Sequence, residues 1–260
     1  MEYSFFELIL TRFIPDELKF KTFSVPHFAY LACSALLIYF IARRVKKMPQ
    51  EKAERLIKIL SLSLIVIYFY RFYMFWKYDY KFDFIDNLPF HLCIIHQFVI
   101  PYAIYRKKMV LLNLCYSIGA PAAAIAMFTP SMLYKEYFYL GWFVFFFFIL
   151  HAMIVMIPIL CICSGIFRPD YKLMPKACAV FLGFVAFIYG LNKLLNANFL
   201  FVNIPEPGTL MEPFYNWLGN PGFILPLLFV LLFVLCMMYL PWIIIDKRRE
   251  HTYALALPPK

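Results

Sequence analysis

The chain has 260 residues, of which 64% are hydrophobic, 21% are aromatic and only 15% are charged. A soluble domain is roughly half apolar and about a quarter charged, so this composition excludes an ordinary soluble protein. The net charge of +10 would suggest a nucleic-acid partner in a soluble chain, but here the basic residues lie in short loops between apolar runs. That arrangement is typical of a polytopic membrane protein, and we expect no nucleic-acid partner.

The N-terminal segment, residues 1–22, mixes aromatic and aliphatic side chains with acidic and basic ones. Such a mixture favours a short amphipathic helix that lies in the membrane interface. We expect residues 23–245 to form one transmembrane domain. Residues 246–260 are then a cytoplasmic tail.

Several apolar runs are long enough to cross a bilayer, which takes about 20 residues of helix. They predict an all-α bundle of about seven transmembrane helices. Their approximate bounds are 26–43, 57–76, 88–106, 109–128, 138–163, 174–195 and 221–243.

Lys and Arg are concentrated in alternate loops. The rich loops follow the first, third and fifth spans, and a further basic group follows the last span; examples are Arg44, Lys107, Arg168 and Arg248. The other loops carry only Lys77, Lys81, Lys135 and, near a helix end, Lys193. Because cytoplasmic loops are enriched in Lys and Arg, the alternation predicts an outer N-terminus and a cytoplasmic C-terminus.

Two imidazoles and a thiol lie within six consecutive residues, at His91, Cys93 and His96. Ionisable groups are costly in a bilayer and usually have a function there. A thiol beside imidazoles could be a nucleophile or part of a metal site. Pro89 suits the first turn of a helix, which would place Cys93 just past that turn, with His96 on its face. The alternative is that Cys93 is an ordinary buried thiol.

His151 follows the Phe-rich run of the fifth predicted span, with no charged residue near it in sequence. It could pair with Cys93 if helix tilt brings the two to the same depth. A lone histidine on an apolar helix can equally be a hydrogen-bonded core residue, and the sequence leaves both possibilities open.

A polar group recurs at helical spacing near the end of the sixth predicted span, at Tyr189, Asn192, Lys193 and Asn196. We expect this face to look inward, toward the depth of Cys93. Asn192 or Asn196 could then orient an imidazole or donate a hydrogen bond to an oxyanion. The alternative is a solvated helix end from which Lys193 extends to water.

The residue types at His91, Cys93, His96 and His151 would also suit zinc. Their spacing matches no zinc motif, and no carboxylate within a span accompanies them. We therefore expect neither a metal ion nor another cofactor.

These motifs resemble the bacterial YwaF family, which is similar to the eukaryotic transmembrane protein 164. The resemblance covers roughly residues 60–245, and its most specific part is the Leu-Pro-Phe-His-Leu-Cys segment with the later histidine. The matching positions are Leu88–Cys93, Phe128–Pro130, His151, Asn192 with Asn196, Pro205–Thr209 and Tyr239–Trp242.

The eukaryotic relatives are described as acyltransferases that remodel phospholipids through a cysteine acyl intermediate and a partner histidine. The resemblance implies that Cys93 accepts the acyl group and His151 is the base, with phospholipid or lysophospholipid as the partner, in a bacterial plasma membrane. Asn192 or Asn196 could complete a triad by analogy with Cys-His-Asn sites. The alternative is a non-catalytic membrane protein that binds or transports a lipid or small solute in the same polar pocket.

Overall fold

Inside a bilayer, long apolar runs must satisfy their own backbone hydrogen bonds, and a helix does so within one segment. The computed structural model describes residues 14, 16–78, 83–85, 87–130, 137–207, 209 and 211–256. Over these ranges the chain is helical, and its one extended pairing is an isolated bridge between Lys19 and Phe138. The predicted all-α polytopic bundle is confirmed.

The described residues form eight helices, numbered here in chain order. They are α1 Val25–Val45, α2 Gln50–Tyr78, α3 Leu92–Tyr105, α4 Met109–Phe128, α5 Trp142–Cys163, α6 Met174–Leu195, α7 Glu212–Gly222 and α8 Ile224–Ala256. Within α4, the segment Cys115–Gly119 is a π-helix.

Six of these helices are long and apolar enough to cross a membrane, by length and composition. They are α1, α2, α4, α5, α6 and α8. The third predicted span corresponds to α3, which is apolar but has 14 residues and contains Pro101. The count of seven and the orientation of the termini stay predictions.

Two helices extend beyond their predicted spans. α2 begins at Gln50, because its first turns bury Ala53 and Ile57 while an ion pair of 2.7 Å joins Lys58 to Glu54. α8 continues to Ala256, into the segment expected to be a tail. A hydropathy pattern marks only the apolar part of a helix, so it ends where the charged turns begin.

The end of the N-terminal segment packs into the bundle. Asp16–Leu18 forms a single 3-10 turn, and the Phe20 amide then donates a hydrogen bond of 2.7 Å to the Tyr137 carbonyl. Phe20 is fully buried, with its ring 6.1 Å from that of Phe148. The rest of the predicted interfacial segment, residues 1–13 and 15, lies outside the described residues.

The basic loops meet at one end of the bundle, called here the basic end. Residues that flank three of these loops share one buried cluster, namely Val45, Ala53, Ile104 and Phe167. Arg168 forms an ion pair with Asp246 of α8. The alternation of loop charge in the sequence therefore corresponds to an up-and-down arrangement of helices.

Candidate functional site

A cavity of about 870 Å³ opens among α2, α3, α4, α5, α6, α8 and the loop that follows α6. Much of its wall is apolar, with contributions from Ile118, Phe147, Phe181, Leu228 and Leu231. Its polar lining includes Arg71, Asp83, Asn87, His91, Glu206 and Thr209. The shape and lining suit an amphipathic molecule with one polar end.

The cavity lies between α6 and α8 in the part of the bundle that is far from the basic end, where these two helices no longer pack against each other. Near that end they share a buried cluster containing Ala177, Leu235 and Tyr239. Farther along, α6 packs instead against the loop after it, in a cluster containing Ile188 and Phe199. The part of α8 that faces this half of α6 therefore lines the cavity.

Cys93 lies in the first turn of α3, nearer the helix start than predicted. Pro89 does not begin the helix, because residues 87–91 form turns and His91 is the extended residue before Leu92. The His91 ring is held by aromatic contacts with Phe199 and Phe201, at centroid distances of 5.5 and 5.2 Å. The first turn of α3 thus carries Cys93 at the helix end whose N–H groups have no acceptor within the helix.

His151 is oriented by the backbone of its own helix. Its Nδ1 lies 2.7 Å from the Phe147 carbonyl oxygen. Because a carbonyl can only accept a hydrogen bond, Nδ1 carries the proton and Nε2 keeps its lone pair. The side chain is 5% exposed and lines the cavity. The Phe147 carbonyl thus orients the imidazole, the role predicted for Asn192 or Asn196.

The structure brings His91, Cys93 and His151 to one cavity. Cys93 also packs against the cluster that contains Leu150, the residue before His151. Among the described residues, no hydrogen bond joins the thiol to an imidazole. The arrangement can place a thiol and an unprotonated imidazole nitrogen on the same bound molecule.

His96 does not join them. It is buried against α4, and its Nδ1 donates a hydrogen bond of 2.7 Å to the carbonyl of Leu92 in its own helix. A Cβ on Gly119 would lie 2.3 Å from its Nε2, which has no hydrogen-bond partner in the described part of the chain. Within that same part, no group of three or more His, Cys, Asp or Glu side chains could hold a metal ion.

Asn192 holds the loop after α6 and lies outside the cavity lining. Its amide nitrogen donates to the Phe199 carbonyl at 2.9 Å and to Asn203 Oδ1 at 3.2 Å, and its oxygen accepts from the Phe199 amide at 2.8 Å. Asn196 ends α6 in the left-handed conformation, with φ of 52°. Both act on the cavity indirectly, through a loop whose Phe201 lines it.

Tyr189 and Lys193 also lie outside the cavity lining. The Tyr189 hydroxyl donates to Asn220 Oδ1 at 3.1 Å, and the Lys193 ammonium lies 4.7 Å from the centre of the Tyr189 ring. This placement fits the alternative of a helix end with an extended lysine.

Arg71 is not among the site residues predicted from the sequence, yet it lies inside the predicted span 57–76 and lines the polar part of the cavity. A signal was present, since a charged residue within an apolar span is itself a sign of function.

A comparison with models of known protein families identifies the family of this chain. The model of the TMEM164 family matches residues 22–239, which include His91, Cys93 and His151. No curated protein and no solved structure matches the chain. Together with six apolar helices of spanning length, the match makes this an integral membrane protein. It extends over far more than half of the chain and confirms the resemblance drawn from the motifs: the chain belongs to the TMEM164 family.

Proposed function

We propose that this protein is a membrane-embedded acyltransferase that moves an acyl chain between phospholipid and lysophospholipid through a thioester on Cys93. The observation that carries the proposal is the shared cavity of Cys93, His91 and His151, which combines polar groups with apolar walls. Such a cavity fits the ester region of a lipid beside its chain. A bacterial plasma membrane is the location we propose.

In the first half of the reaction, His151 Nε2 takes the proton from Cys93 Sγ. The sulfur attacks the carbonyl carbon of the lipid ester, and the carbon–oxygen bond to glycerol breaks. The departing oxygen takes the proton from the imidazolium, so that a lysophospholipid leaves. A hydroxyl of a second lysophospholipid then reverses these steps, forming a new ester and restoring the thiol.

The start of α3 supports this chemistry. The first N–H groups of a helix have no acceptor within it. Those of Leu92 and Cys93 therefore lie close to the thiol as donors for the oxyanion that develops during attack.

A second candidate function is lipid or solute binding without chemistry. The observation that favours it is the lack of a hydrogen bond between the Cys93 thiol and an imidazole among the described residues. In that case His91 and His151 would bind polar groups of the ligand.

Intact-mass spectrometry after incubation with phospholipid separates the two functions. We expect an acyl-sized mass increase on the wild type that hydroxylamine removes, because hydroxylamine cleaves thioesters. Cys93→Ala should lack it. Cys178→Ala is the matched control, since that thiol is also partly exposed but lies outside the cavity lining. A mass increase that persists in Cys93→Ala, or no increase with any of several phospholipid classes, would contradict the thioester mechanism.

A further inference from the structure

The guanidinium group of Arg71 is the least satisfied charge in the described part of the molecule. Its Nε and Nη2 atoms are closed to solvent and have no hydrogen-bond partner there. The Phe75 ring lies 5.2 Å from the guanidinium carbon. A buried cation without hydrogen bonds is strongly unfavourable, which points to a partner that the described part of the chain does not supply.

No carboxylate of the described chain neutralises this cation. Asp83 and Glu206 also line the cavity and have interactions of their own, but no ion pair within the described residues involves Arg71. The titratable groups that interact with it electrostatically there are the phenols of Tyr68 and Tyr137 and the imidazole of His91. The positive charge is thus available to a bound anion.

Arg71 lines the same cavity as His91, Cys93 and His151. Arg71 lies seven residues before the end of α2, about 10 Å along the helix axis. Its charge acts on the His91 ring, which lines the same cavity as Cys93. An anion held by Arg71 would therefore lie at the polar part of the cavity, with apolar walls beside it for a chain.

We propose that Arg71 binds the phosphate group of the lipid, so that the cavity selects phospholipids over neutral acylglycerols. The planar fork of a guanidinium matches two oxygens of a phosphate and forms charge-assisted hydrogen bonds with them. A neutral acylglycerol has the chain and the ester but leaves the buried cation unsatisfied. The inference deepens the proposed function, on which it rests, by naming the group that holds the substrate in register.

The test measures binding without turnover, using the Cys93→Ala protein in nanodiscs and native mass spectrometry. The probes are lysophosphatidylglycerol, a monoacylglycerol with the same chain, the free fatty acid of that chain, and glycerol 3-phosphate. We expect lysophosphatidylglycerol to bind at least about tenfold more tightly than each of the others, because only it combines phosphate and chain.

Adding Arg71→Gln should weaken lysophosphatidylglycerol binding about ten- to a hundredfold and monoacylglycerol binding less than about twofold. Arg71→Lys should give an intermediate loss, because it keeps the charge without the fork. Arg55→Gln, the same change at an exposed position of α2, is the control and should have no effect.

Equal losses for lysophosphatidylglycerol and monoacylglycerol would make Arg71 a structural residue and overturn the proposal. If the free fatty acid binds as tightly as lysophosphatidylglycerol, the site binds a carboxylate and the proposal is overturned. If glycerol 3-phosphate binds as tightly, the site binds a free phosphate ester and the proposal is again overturned. If the Arg71 variants do not fold, the preference of the Cys93→Ala protein for lysophosphatidylglycerol over monoacylglycerol still decides whether the cavity selects lipids that carry a phosphate. If Cys93 forms an acyl adduct but the cavity shows no such preference, only the Arg71 proposal is contradicted. If the preference is present but no adduct forms, the acyl-transfer proposal is contradicted instead.

Discussion

Two histidines of this chain make the same local hydrogen bond and differ in what surrounds them. His96 and His151 each bond the carbonyl four residues earlier through Nδ1, at 2.7 Å in both cases. Both therefore keep a lone pair on Nε2. That nitrogen faces Gly119 in His96, whereas His151 lines the cavity. Location, not tautomer, makes His151 the candidate base.

Exchanging each histidine for glutamine tests this assignment. Glutamine can hydrogen-bond but cannot accept a proton, so His151→Gln should lower acyl-transfer turnover about a hundred- to ten-thousandfold. Lipid binding by the same variant should stay within about threefold. His96→Gln should keep turnover within about fivefold, although it disturbs a buried contact. Steady-state transfer assays and native mass spectrometry measure the two effects, and equal rate losses in both variants would remove His151 from the base role.

Residue type alone predicts some of this site. His91, Cys93 and His151 stand out in the sequence because ionisable groups inside apolar runs are costly. The bonds of Asn192 cannot be predicted in the same way, because Phe199 meets it only when the chain turns back over α6. The ring contacts of His91 with Phe199 and Phe201 likewise join residues that are far apart in sequence.

At the scale of elements, the contact between α3 and α4 depends on a glycine. Gly119 ends the π segment of α4, and the His96 imidazole lies directly against it. The run of small residues from Gly119 predicts close helix packing, which the structure has here. The π segment itself cannot be predicted from the sequence, since it arises from how α4 packs in the bundle.

Gly119→Ala should therefore destabilise the bundle, because the new methyl group would lie 2.3 Å from Nε2 of His96. Overpacking of this kind costs about 1–3 kcal/mol, and a contact this short places the change near the upper value. Adding His96→Ala should recover about 1–2 kcal/mol of the loss by making room for the methyl group.

The measurement is the free energy of unfolding of the wild type, both single variants and the double variant in one detergent. Gly183→Ala is the control, since a Cβ at that position of α6 meets nothing within 4 Å. Additive effects of Gly119→Ala and His96→Ala would show that the two residues do not compete for the same space.

At the scale of the whole molecule, one end of the bundle is closed and the other holds the cavity. The basic end is closed by clusters that join the loops to α6 and α8. Toward the other end, α8 has two faces. Leu227 lines the cavity, while Leu225 is 60% exposed and lies outside the cavity lining, where a membrane protein meets lipid. Hydropathy predicts α8 as a span, but it cannot separate these faces because both are apolar.

A tryptophan on each face of α8 tests whether the cavity holds the acyl chain. Leu227→Trp places an indole in the apolar wall, so phospholipids with long chains should bind about tenfold more weakly than in the wild type. Lipids with short chains should lose less, because they leave more of the cavity empty. Leu225→Trp should bind both as the wild type does, since its indole meets the surrounding lipid. If Leu227→Trp weakens long and short chains equally, or if Leu225→Trp has the same effect, then the chain lies outside this cavity and the headgroup alone determines binding.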